Sequence, residues 1–92
     1  MKITYSGDPD KKMVLRITKK NFPKNITIDQ YISYIRKSIK YNGPMRCYEE
    51  QGRYSIYFDR MEESKVNRLV KKIQKYADKS KYGNLIREIR II

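Results

Sequence analysis

The chain contains no histidine, no tryptophan and a single cysteine, and its 92 residues hold only 10 acidic side chains against 22 lysines and arginines. Without histidine, the commonest general base and metal ligand is missing. The lone Cys47 rules out a disulfide framework and a cysteine-rich zinc site. Its position in an expected strand makes it a core thiol, and it fits a reducing, cytoplasmic setting. No apolar run approaches the roughly 18 residues of a membrane span. The segment Met1 to Pro9 lacks the apolar stretch of a secretory signal. Repeats, linkers and low-complexity tracts are absent, so residues 1–92 read as one domain. A domain of this size buries only a little more than about 60% of its unfolded surface. That leaves room for one sheet and two or three helices, and little for a deep enzyme cleft.

What the chain has in excess is positive charge, a net +12. Such an excess costs self-repulsion in the folded state and favours anionic partners, here nucleic acid or a nucleoprotein. The weight of Lys, Ile, Tyr and Asn points to an AT-rich genome, microbial or viral. The charge is also arranged. Lys65, Arg68, Lys72, Lys75 and Lys79 recur at spacings of three and four. At roughly 100° per residue they fall within an arc of about 80° of a helix. Val66, Leu69, Val70, Ile73 and Ala77 fill a separate arc that must face a core. Exposed helix faces are commonly charged, but most mix signs. After Glu63 the only acidic residue of this helix is Asp78, off the row. A protein neutralising six to eight phosphates shows a log–log salt slope of roughly −5 to −7 on duplex DNA.

The pattern predicts these elements in order. Residues 2–5 suit an extra N-terminal strand, and Ser6-Gly7-Asp8-Pro9-Asp10 is a turn. Met13 to Thr18 alternates as a strand, with Met13, Leu15 and Ile17 on one face and Val14, Arg16 and Thr18 on the other. A loop from Lys19 to Asn25 carries Phe22-Pro23 as a hydrophobic plug. Thr27 and Gln30 form a capping box at the start of the first helix. Ile28, Tyr31, Ile32, Ile35 and Ile39 are its apolar stripe. Asn42-Gly43-Pro44 stops it, with Gly supplying a left-handed cap. Strands over 45–50 and 53–59 follow, joined at Gln51-Gly52 by a type I′ turn that pairs Glu50 with Arg53. Residues 62–79 form the second helix, with Glu62 and Glu63 at its positive end. After a turn over 80–84, residues 85–92 form the last strand.

This order gives an α+β, ferredoxin-like βαββαβ sandwich with two helices on one face of an antiparallel sheet. The other sheet face is open. Met45, Cys47, Tyr54, Ile56 and Phe58 face the helices, whereas Arg46, Tyr48, Arg53, Ser55 and Tyr57 face outward. Tyr48 and Tyr57 suit stacking on bases, and Arg16, Arg46 and Arg53 suit phosphate contact, the combination used by single-strand binders. Tyrosine is also simply favoured in strands. The order and the aromatic third strand, Gln51-Gly52-Arg53-Tyr54-Ser55-Ile56-Tyr57-Phe58, resemble the RNA-recognition-motif family. The resemblance spans most of the chain in topology, and in motif it rests on Gly52, Ile56 and Phe58. It implies an RNA-binding sheet face, with Arg53 and Ser55 standing where that family carries its stacking aromatics. Acylphosphatases share the order, but their Gly-Arg-x-Gln-Gly-x-x-aromatic-Arg signature is not in this chain.

No cofactor, catalytic residue or metal site is expected. Asp8 and Asp10 are better explained as turn residues, and Asp59 with Glu63 has no diagnostic metal spacing. The second helix has no Trp or Phe to bury in lipid headgroups, so membrane attachment is not expected. Tyr34 and Tyr41 lie off the first helix's stripe and suit a second contact surface or a homo-oligomer. The sequence therefore predicts a small, basic, non-catalytic DNA- or RNA-binding protein. It would contact phosphates through the helix row, the sheet face (Arg46, Tyr48, Arg53, Tyr57), or both. The alternative is a small virus-type inhibitor or adaptor that binds a host protein or nucleoprotein, with Tyr and Arg as interface anchors.

Overall fold

The computed structural model describes residues 1–5 and 12–92. The elements are β1 (Lys2–Tyr5), β2 (Met13–Thr18), α1 (Ile28–Ile39), β3 (Met45–Glu50), β4 (Arg53–Phe58), α2 (Glu63–Lys79), a 3-10 turn (Gly83–Leu85) and β5 (Ile86–Ile91). The turn expected at residues 6–10, with Asp8 and Asp10, lies outside the described residues. The sheet runs β1-β5-β2-β4-β3. Its β1–β5 pair is parallel and the others are antiparallel. The architecture is α+β, two helices and a five-stranded mixed sheet, compatible with a ferredoxin-like βαββαβ fold extended by an edge strand.

Local chemistry accounts for the element ends. Thr27 Oγ1 accepts from the Gln30 N–H at 3.1 Å and the Gln30 side chain accepts from the Thr27 N–H at 2.8 Å, a closed capping box. The β3–β4 turn has positive φ at both Gln51 (52°) and Gly52 (73°), as a type I′ turn requires, and Glu50 pairs with Arg53. Leu85, expected as the first residue of the last strand, instead closes the 3-10 turn, where its side chain is buried.

The end of α1 differs from expectation. The left-handed cap is Lys40 (φ 54°, ψ 46°), not Gly43. The reversal at Lys40 carries Tyr41 inward, so the expected contact-surface residue is a core residue. Its ring packs on Phe58 at 5.0 Å and its hydroxyl donates to the Pro44 carbonyl at 3.2 Å. Gly43 is needed for packing, because a Cβ there would stand 2.4 Å from the Tyr41 hydroxyl. Arg36 clasps the same loop, donating to the Gly43 carbonyl at 2.7 Å.

The core lies between the helices and one sheet face. Met13, Leu15 and Ile17 of β2, Ile56 and Phe58 of β4, and Ile86, Ile89 and Ile91 of β5 meet Tyr31, Ile35 and Ile39 of α1 and Val66, Leu69, Val70 and Ile73 of α2. Phe22 plugs the end of this layer edge-on to Tyr31 (5.8 Å) and Tyr54 (5.5 Å). Cys47 is half-buried against the core, and burial pushes its thiol up from the ordinary value. Among the described residues no helix is long and apolar enough to cross a membrane.

Candidate nucleic-acid interface

Burial of the Val66/Leu69/Val70/Ile73 stripe sets the rotation of α2 and so aims the rest of its surface outward. All five row residues, Lys65, Arg68, Lys72, Lys75 and Lys79, are exposed. None forms an ion pair with any described residue. Two are tethered without being neutralised. Lys72 Nζ donates to the Ile39 carbonyl at 3.4 Å, an uncapped acceptor at the negative end of α1. Lys65 Nζ lies 5.7 Å over the Tyr41 ring.

The row is one wall of a groove rather than an isolated ridge. Lys72, Lys75, Lys79 and Tyr76 line a depression of about 550 Å³ whose other side is Ser38 and Lys40. Lys65, Arg68 and Lys72 line its continuation of about 280 Å³, against Lys40, Asn42 and Gly43. Lys40 borders both and is a sixth cation that the sequence reading missed. Its left-handed backbone at the end of α1 places it opposite α2, a proximity with no sequence signature because 32 residues separate Lys40 from Lys72. Among the described residues no carboxylate lines either depression.

The open sheet face lies opposite the helices. Arg46 and Tyr48 are exposed, and Arg53 and Tyr57 half-buried. The Tyr48 and Tyr57 rings sit edge-on, 5.4 Å apart with 78° between planes, so they offer no common stacking plane to two neighbouring bases. The Tyr57 hydroxyl donates to Glu50 Oε1 at 3.0 Å, and that bond, with burial, raises its pKa. Arg53 Nη2 donates to Gln51 Oε1 at 3.0 Å, and Arg16 faces Glu88 at 3.6 Å. Ser55, on this face, is covered by its neighbours and buried. The structure therefore keeps the five row residues together and adds Lys40. It holds Arg46, Tyr48, Arg53 and Tyr57 on a separate surface across the sheet.

Elsewhere, Tyr34 is exposed and stacks parallel to Tyr82 at 6.5 Å, while Lys19 pairs with Glu49. Asp59 and Glu63 are exposed, and among the described residues no three metal-ligating side chains converge. No protein-family model, curated protein or solved structure matches the chain.

Proposed function

We propose that this chain is a non-catalytic nucleic-acid-binding protein, working in a reducing, cytoplasmic setting, whose α1–α2 groove tracks a phosphate backbone. The observation that carries this reading is the convergence of six cations from two elements, none in an ion pair with a described residue, on one groove free of described carboxylates. Like charges held this close repel one another, and a polyanion laid along them relieves the repulsion while releasing its own counterions. Lys65 to Lys79 spans about 21 Å at 1.5 Å per residue. That is the axial rise of about six nucleotides of a duplex strand. Phosphate contacts carry little sequence information, so low sequence specificity is part of the proposal. The edge-on tyrosines favour the helix groove over the sheet as the principal surface.

The test is charge reversal. Lys72→Glu with Lys75→Glu is expected to weaken binding of a random-sequence oligonucleotide duplex at least tenfold and to flatten its salt slope by about 2. Both sites are exposed, so the circular dichroism spectrum is expected to stay unchanged. Unchanged affinity removes α2 from the interface. Absence of oligonucleotide binding at low salt, with one stable protein complex in a pull-down, supports the inhibitor or adaptor reading instead.

A further inference from the structure

We propose that the hairpin end of the open sheet face binds a terminal phosphate, a dianionic phosphate monoester, through Lys2, Arg16, Arg53 and Arg87. These four cations come from β1, β2, β4 and β5 and line one depression of about 540 Å³. The sheet topology gathers them. Lys2 of β1 pairs with Glu88 of β5, and Arg16 of β2 pairs with the same Glu88 from the other side. Arg53 pairs with Thr18 at the end of β2. The register slips between Arg16 and Ile17, leaving Arg87 as the unpaired extra residue of β5, exposed at the rim. Bulges of this kind re-aim a side chain away from regular alternation.

Two orphaned donors point to an anion. The Nε–H groups of Arg16 and Arg53 are shut from solvent and have no acceptor among the described residues. Each guanidinium spends a different nitrogen on a neighbour, Arg16 Nη1 on Glu88 and Arg53 Nη2 on Gln51. Buried donors without acceptors are uncommon in native proteins, and a missing ion is one standard cause. The edge of a guanidinium that carries Nε–H and one Nη–H is the edge it uses on phosphate oxygens.

The charge balance favours a dianion. Among the described residues Glu88 is the only carboxylate of the lining, and Thr4 Oγ1 holds it at 3.0 Å as well as Arg16. Four cations less one carboxylate leave +3 around the depression. A phosphodiester brings one charge, whereas a monoester brings nearly two charges and three acceptor oxygens. The site lies across the sheet from the α1–α2 groove, so it stands or falls independently of the helix reading.

The experiment compares one short oligonucleotide carrying a 5′-phosphate with the same oligonucleotide carrying a 5′-hydroxyl. A nucleoside monophosphate serves as a free monoester, and inorganic pyrophosphate as a free molecule with a terminal phosphoryl group. The 5′-phosphate is expected to tighten binding on the order of tenfold. That advantage is expected to survive Lys72→Glu/Lys75→Glu and to vanish in Arg16→Gln/Arg53→Gln. Lys2→Gln/Arg87→Gln, at exposed positions, gives the same readout if the first pair misfolds. Amide NMR shifts induced by pyrophosphate are expected at Lys2, Thr18, Arg53 and Arg87. Pyrophosphate shifts there without discrimination between oligonucleotides assign the site to a free phosphorylated molecule. Equal binding of all probes by wild type and the sheet-face variants, or shifts confined to α2, overturns the proposal.

Discussion

Tyr31 shows how one side chain joins core, turn and pH response. Its ring is fully buried between α1 and the sheet, edge-on to Phe22 and Tyr82, and its hydroxyl donates to the Tyr82 carbonyl at 2.7 Å. Burial first, and the neighbouring Tyr76 hydroxyl second, raise its pKa above the ordinary 10.0. The folded state therefore keeps a proton that the unfolded chain releases. The resulting stability is fully present below about pH 10 and is lost as pH climbs toward the folded-state value. Tyr31→Phe is expected to cost about 1 kcal/mol at pH 7 through the lost hydrogen bond. In urea unfolding, the gap between wild type and Tyr31→Phe is expected to narrow from pH 7 to pH 10.5, and a constant gap would show that Tyr31 does not titrate with unfolding. The apolar helical spacing of Tyr31 is plain in the sequence. Its partner Tyr82 is not, being 51 residues away in a turn.

Among the elements, α1 has 12 residues, short for a helix without tertiary support. Thr27→Ala removes the acceptor of the Gln30 N–H and is expected to cost about 1 kcal/mol in chemical denaturation. A loss of only a few tenths would mean that core packing alone holds that end. The capping box, the type I′ turn and both apolar stripes were legible because each depends on residues within one or two turns of chain. The C-terminal cap is not local in this sense: Gly43 is the residue most tolerant of a left-handed backbone, yet Lys40, three positions earlier, adopts it. Tyr41 packing on Phe58 decided that point. Gly83 is another long-range constraint on a short element. A Cβ there would approach the Ala77 carbonyl oxygen to 2.2 Å, and only glycine lets the 3-10 turn close on the end of α2.

For the molecule as a whole, a net charge of +12 on 92 residues becomes informative through its partition. The open sheet face and the α1–α2 groove are separated by the core, so the cations of the two lie on opposite sides of the described structure. If the six groove cations each meet a phosphate, duplex DNA binding is expected to show a log–log salt slope of about −5. A slope near −1, measured by fluorescence anisotropy across salt concentrations, would show that the groove is not a backbone track. The element order, the α2 cation row and the outward set Arg46, Tyr48, Arg53 and Tyr57 could all be read from the chain, because periodicity and turn chemistry are local. Lys40 facing α2, Lys2 and Arg87 joining Arg16 and Arg53, the burial of Tyr41 and the edge-on setting of Tyr48 and Tyr57 emerged only on folding. Each depends on which distant backbone segments lie side by side, and strand order, register slips and helix docking set that for all of the chain at once.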